Sequence, residues 1–171
     1  MTKRTKKSTP KQNRIYMVRT ALALVLVTLF FAVGGGIIYV KNQTATQTFT
    51  SDYMKVQFDY PATYQVNDDM SDVFLTNKMG QLSFGKSGTV YSTASEHVKY
   101  LSKTRLYTKT LMSQDIFVKG LSGVKLLLDS QGDQKYEYIF VKDNALYQFE
   151  ANDPALFSDL DSIAKTFRIM Q

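Results

Sequence analysis

The chain has 171 residues, 44% hydrophobic and 21% charged, which excludes a disordered or fibrous polymer and suits one ordinary domain plus a small appendage. It has no Cys, which excludes a disulfide scaffold, a thiol nucleophile and Cys-ligated metal clusters, and its single His removes most His-based metal sites. The net charge of +6 is concentrated at one end: residues 1–19 hold seven cations and no acid, while residues 52–171 hold all 15 carboxylates and a net of −2. A nucleic-acid role for the folded part loses its electrostatic support, because phosphate binding needs a clustered positive surface.

Residues 20–40 read TALALVLVTLFFAVGGGIIYV, without a charge. As a helix they span roughly 31 Å, matching a hydrocarbon core of about 30 Å. Only a helix would satisfy their backbone groups inside lipid. The cations before this segment predict a cytoplasmic N-terminus, a transmembrane helix at 20–40 and an extracytoplasmic C-terminal part. Tyr16 and Tyr39 stand near its two ends, as interfacial aromatics do. The apolar run exceeds a signal-peptide core, and YVKNQTATQ offers no small-x-small cleavage site, so an uncleaved signal anchor is expected. No Glu opens the run, which argues against a type IV pilin.

Thr28, Ala32 and Gly36 recur every four residues and form a small-residue stripe. Such a stripe would let two helices pack into a homodimer, although Gly and Ala are common in membrane helices in any case. The tail TKRTKKSTPKQNR is first a topology signal and, as an alternative, a lipid- or nucleic-acid-binding arm. Asn42-Gln43-Thr44 is formally a glycosylation sequon. An exported domain without Cys favours a bacterial cell membrane instead. Residues 41–51 (KNQTATQTFTS) read as a polar tether.

Residues 52–171 switch to strand patterning. Val56, Phe58 and Tyr60 alternate with Lys55, Gln57 and Asp59 over 55–60, and Pro61 ends the run. Further strands are expected at 64–66, 73–76 and 82–84, separated by NDDMSD and NKMG turns. After a Gly/Ser/Thr loop at 87–93, Thr93-Ala94-Ser95-Glu96 forms a capping box for a helix over 94–105, with Ala94, Val98 and Leu101 as its apolar face. Strands follow at 116–119, 124–129, 136–141 and 145–151, with turns at 130–134 and at Asp143-Asn144, the latter of type I′ character. Asn152 or Asp153 then caps a last helix with Pro154 at its first position. Leu156, Leu160, Ile163 and Phe167 lie on one stripe of it. The fold class is therefore α+β: one domain with an antiparallel β-sheet flanked by two helices.

The opening YMKVQFDYP (53–61), the helix after four short strands, the hydrophobic hairpins and the ending IAKTFRI (163–169) resemble the PsbP-like family, named after the extrinsic photosystem II protein. Tyr64 stands where the family often has Trp, and Thr166-Phe167 where it often has Ser-Phe. The resemblance implies an antiparallel sheet flanked by helices and a docking or accessory role without enzymatic activity.

Few residues carry chemistry. His97 is the sole imidazole, in the first turn of the middle helix, and no G-x-S-x-G elbow accompanies it. Asn67, Asp68, Asp69, Ser71 and Asp72 crowd oxygen atoms into one loop, but without EF-hand spacing, and read as solvated turn residues. Asp129-Ser130-Gln131-Gly132-Asp133 reads the same way. Gly85-Lys86-Ser87-Gly88 lacks P-loop spacing. The Tyr-rich strands read as core with their hydroxyls at the rim, the alternative being a sugar-binding platform. No catalytic residue, cofactor or metal ligand is expected.

The expectation is a single-pass, membrane-anchored binding or accessory module that docks a protein or envelope partner. Its first alternative is an envelope hydrolase using two of Asp68, Asp69, Asp72, Glu137 and Glu150, which would require them in one deep pocket. The second is a membrane-tethered regulator with a nucleic-acid- or lipid-binding tail.

Overall fold

A computed structural model describes residues 45–170. The basic segment, the apolar segment 20–40 with Thr28, Ala32 and Gly36, and the sequon lie outside the described residues. Among the described residues no helix is long and apolar enough to cross a membrane.

Ten strands and two helices follow one another: β1 (Thr46–Ser51), β2 (Val56–Pro61), β3 (Gln65–Asp69), β4 (Asp72–Asn77), β5 (Gly80–Gly88), α1 (Ala94–Thr104), β6 (Lys109–Val118), β7 (Leu121–Ser130), β8 (Asp133–Lys142), β9 (Ala145–Ala151), a 3-10 turn (Pro154–Leu156), α2 (Phe157–Ala164) and β10 (Arg168–Ile169). They build two sheets rather than one, with strand orders β1-β2-β10 and β3-β4-β5-β9-β8-β7-β6. Every strand pair is antiparallel.

Part of the expected tether is structure. Thr46–Ser51 forms β1, with Phe49 opposite Phe58 and their rings 5.0 Å apart. Its polar side chains are used along β2: the Thr48 hydroxyl donates to Asp59 at 2.7 Å, and the Tyr60 hydroxyl donates to Gln47 at 2.8 Å. Thr is a good strand residue, so a Thr/Gln-rich run with one inward Phe pairs as an outer strand. β6 is also longer than its expected 116–119. Most of its side chains are exposed, so it lacks the alternation that marks a half-buried strand. Lys119 belongs to the turn after it, with a positive φ.

The last helix is split. Asp153 caps the 3-10 turn at Ala155 N, and the α-helix begins only at Phe157. The expected stripe nonetheless holds, since Leu156, Leu160, Ile163 and Phe167 are all fully buried. Beyond it the Thr166 Oγ1 accepts from Asp59 N at 2.8 Å, and Arg168–Ile169 pairs with β2. The Asp143-Asn144 turn has positive φ at both residues, as type I′ requires. The 87–93 loop shortens because β5 runs to Gly88 along β9.

The central strands of the seven-stranded sheet are packed on both faces. On one face Val73, Leu75, Leu82, Phe84, Tyr138, Phe140, Tyr147 and Phe149 pack against the small sheet and α2. On the other, Val124, Leu126, Leu128, Ile139 and Leu146 pack under Ala94, Val98 and Leu101 of α1. The alternation along β8 explains this: Tyr138 and Phe140 point one way and Ile139 the other. The tyrosines thus serve as core, with rim partners. The Tyr64 hydroxyl donates to Asp159 at 2.6 Å, and the Tyr138 hydroxyl donates to Asp161. Lys125 lies 2.9 Å from Asp161 and 4.6 Å from the Tyr136 ring centroid, so one cation docks α2 onto the sheet. Burial opposes the charge of Lys125, but the Asp161 carboxylate and the flanking tyrosines outweigh it and raise the pKa above the ordinary lysine value.

Gly123 on β7 is required for this core. A Cβ there would stand 2.5 Å from the Phe140 ring and 2.7 Å from the Ile139 carbonyl oxygen. Gly123→Ala is expected to destabilise the fold by about 1–3 kcal/mol through overpacking, measured by urea unfolding. An unchanged midpoint would show that the Phe140 ring moves aside at no cost.

Candidate functional site

α1 starts where the sequence places it. Thr93 Oγ1 accepts from Glu96 N at 3.2 Å, and the Glu96 carboxylate accepts from Ser92 N at 3.1 Å. These bonds satisfy donors that the first turn leaves free. Its 11 residues pack chiefly on the β7–β8 part of the sheet, with the first turn beside β6. A cleft of about 670 Å³ opens there, between the first turn of α1 and the β6–β7 hairpin. Its walls include Ser92, Ser95, Asp115, Phe117 and Ser122. The Ser95 hydroxyl donates to Asp115 at 3.3 Å across its mouth.

Phe117 is 74% exposed at the cleft rim, Leu111 (43%) lies further back on β6, and Leu106 (81%) and Tyr107 (76%) stand in the turn before it. Four of the nine exposed large apolar side chains of the described residues thus fall within 106–117. Single exposed apolar residues are ordinary, and their concentration in and just before one outer strand makes it the docking candidate. β6 is also the outer strand of its sheet, with one irregularity between Thr110 and Met112. Among the described residues no strand pairs with its outer edge, whose alternate N–H and C=O groups are turned away from β7. The opposite edge, β3, is half as long and carries Asp68 and Asp69.

Behind α1 lies a charged cluster. Glu137 sits on the α1 face of β8 and is fully buried. Arg105, just past the end of α1, donates from Nη1 to Glu137 Oε2 at 3.0 Å. Lys135 Nζ lies 3.0 Å from Glu137 Oε1 and 2.8 Å from Glu150 Oε1. Oε1 of Glu137 accepts no directed hydrogen bond, so Lys135 holds it by charge alone. Two carboxylates matched by two cations form a neutral fastening.

Of the residues singled out in the sequence, Glu137 and Glu150 stand opposite each other on β8 and β9 and share Lys135, while the others lie apart. Asp68, Asp69 and Asp72 are exposed on the β3–β4 hairpin. Glu137 and Glu150 line different clefts, of about 270 and 460 Å³. The two-carboxylate hydrolase required them in one pocket. Asp129 accepts from Gly132 N at 3.0 Å, which is turn chemistry, and Gly85–Gly88 is strand. Among the described residues no group of three or more His, Asp or Glu is placed to hold a metal ion. In the sequence Glu137 stands out only as one of the five carboxylates of the hydrolase alternative. It is buried because α1 covers the second face, and only the polar position amid Tyr136, Tyr138 and Phe140 hinted at it. Arg105 and the β6 flank gave no periodic signal.

His97 packs edge-on against Tyr91, with ring centroids 5.5 Å apart, and its Nδ1 is buried without a partner. Burial lowers its pKa from the ordinary 6.5, Arg105 adds to the effect, and Glu137 opposes it. A protonated Nδ1 would bury an N–H with no acceptor. The unfolded chain therefore binds the proton more readily, and stability falls as pH drops through and below 6.5. Unfolding of the wild-type protein should steepen with acid relative to His97→Gln over that window. Parallel pH profiles would mean that the imidazole keeps its unfolded-state basicity.

The charged cluster makes an asymmetric prediction. Arg105→Ala leaves a buried carboxylate with one cation and should cost about 3 kcal/mol. Glu137→Leu leaves two partly exposed cations that water can solvate, and should cost less than Arg105→Ala in the same urea titration. The reverse order would make the carboxylate's own packing the dominant contribution.

No protein-family model matches the chain, and no curated protein matches it in sequence. Solved structures do match its fold. The solution structure of cyanobacterial PsbP (CyanoP) from Synechocystis sp. PCC 6803 is similar at a TM-score of 0.55 and 13% identity, over 73% of this chain and 92% of that one. A crystal structure from Bacteroides thetaiotaomicron VPI-5482 is similar at a TM-score of 0.51 and 9% identity, over 73% of this chain and 48% of that one. The fold is PsbP-like, in agreement with the resemblance carried by 53–61 and 163–169.

Proposed function

We propose that this chain is a single-pass, membrane-anchored binding or accessory module that displays a PsbP-like domain outside the cytoplasmic membrane. The apolar flank of β6 carries the docking part of this reading. Leu106, Tyr107, Leu111 and Phe117 stay exposed in and just before this outer strand, four of the nine exposed large apolar side chains among the described residues. The anchoring part rests on the uncharged run 20–40 and the seven cations before it. The PsbP-like fold is compatible with this role and assigns no partner.

Protease added to spheroplasts should remove residues 52–171 and spare the cationic stub in the membrane fraction. A protected domain, or a chain that fractionates as soluble, would overturn the anchoring. Crosslinking in intact cells followed by mass spectrometry should concentrate adducts on residues 106–117. Adducts spread evenly over the surface, or none, would overturn the docking site.

A further inference from the structure

We propose that the cleft around Phe74 is a saccharide-binding site, in which a pyranose ring lies on the Phe74 ring and its hydroxyls bond to Gln81, Glu150, Asn152 and Asp153. The site stands apart from the β6 flank and goes beyond the docking reading.

Phe74 belongs to neither core. It lies on β4 between Val73 and Leu75, which point into the core beneath the small sheet, so its ring stands on the opposite face. The register carries that face across the sheet: Phe74 is opposite Ser83, Ser83 opposite Glu150, and Glu150 opposite Glu137, which faces α1. α1 packs chiefly on β7–β8, so the β4–β5 end of this face carries no helix among the described residues. The Phe74 ring is partly buried there. A cleft of about 460 Å³ lies over it, bounded by Gln81, Ser83, Glu150, Asn152 and Asp153. That volume falls within the ~300–1,000 Å³ typical of small-ligand sites.

The polar groups are set for a neutral, hydroxyl-rich ligand. Lys135 Nζ lies 2.8 Å from Glu150 Oε1, and the Gln148 amide donates to the same oxygen. Asp153 Oδ1 accepts from Ala155 N at 2.9 Å. Each carboxylate is thus pinned through one oxygen, and among the described residues its other oxygen accepts no hydrogen bond. The side chains of Gln81, Ser83 and Asn152 stand unpaired among the same residues, which leaves two amides and a hydroxyl, each able to donate and accept. Ions fit this wall poorly. An anion meets two carboxylates and no cation, and a cation finds Glu150 already matched by Lys135. An apolar ligand would strip water from five polar side chains without replacing it. A pyranose satisfies them, because its hydroxyls donate to the carboxylates and accept from the amides. Its C–H face then rests against the negative face of the Phe74 ring. Phe74, Ser83 and Glu150 stand on paired strands, so they are in place before the ligand arrives.

Saturation-transfer NMR on the full-length chain, in a detergent without a sugar headgroup, tests this with glucose, N-acetylglucosamine and N-acetylmuramyl dipeptide as probes. Saturation should reach the ring C–H protons of at least one of them. Phe74→Ala should cut the transfer several-fold, and Phe74→Tyr should retain it. Gln81→Ala, at an exposed position, should weaken the transfer without moving the urea midpoint, which separates loss of the site from loss of the fold. Phe117→Ala should leave the transfer unchanged, and a matching fall there would overturn the placement. No transfer to any probe would overturn the proposal, as would transfer that survives both Phe74→Ala and Gln81→Ala. Transfer confined to the peptide protons of the muramyl dipeptide would overturn it in favour of a peptide site. Co-sedimentation with purified peptidoglycan decides the source: binding lost in Phe74→Ala upholds the site with a wall glycan as ligand, and binding of the free sugars alone upholds it with a solute.

Discussion

Phe58 is the contact on which the architecture turns. Its ring lies 5.3 Å from both Phe84 and Phe149, which are themselves 4.5 Å apart, and 5.0 Å from Phe49. Phe167 closes the group from the chain end, 5.2 Å from Phe140 and from Phe149. The cluster joins both sheets and the segment after α2 into one core. Aromatic edge-to-face pairs at such spacing add to the burial of their large apolar surfaces. Without this lid the seven-stranded sheet would present a face of Phe and Tyr to water, so β1, β2, β10 and α2 are conditions for the large sheet rather than decorations of it.

The second face is covered more sparingly. α1 is three turns long and reaches only part of the sheet. Arg105 ties its end to buried Glu137, and the Thr93–Glu96 box fixes its start. A helix held at both ends cannot slide toward β6. The cleft at its first turn and the bare flank of β6 follow from that fixed length. The feature most suited to docking is thus a consequence of how the core is closed, since the element that buries Val124, Leu126 and Leu128 leaves the next strand outside.

How much of this could be read from residues alone depends on periodicity. Val56–Phe58–Tyr60 and Tyr136–Tyr138–Phe140 alternate, and they are strands. Leu156, Leu160, Ile163 and Phe167 follow the helical period and are fully buried, although Pro154 makes the first turn 3-10. β1 escaped because one Phe in a polar run is too little pattern. β6 was cut short because an outer strand with neither face fully buried has no alternation to show. Of the residues singled out for chemistry, Asp68, Asp69 and Asp72 stand exposed at the facing ends of β3 and β4 rather than in a long loop, and His97 is a partly buried flank residue packed on Tyr91.

The linear pattern by itself determined the α+β class, the two helices, most hairpins, the PsbP-like resemblance and the division into a cationic end, an uncharged apolar run and a weakly acidic remainder. Those properties are local, set by side-chain period, turn chemistry and charge over a few residues. Only the tertiary structure decided that the strands divide into two sheets, that Glu137 faces a helix instead of water, and that β6 ends the sheet with its apolar side chains bare. These outcomes depend on which element covers which face, and that choice is made by shape and burial among residues far apart in the chain.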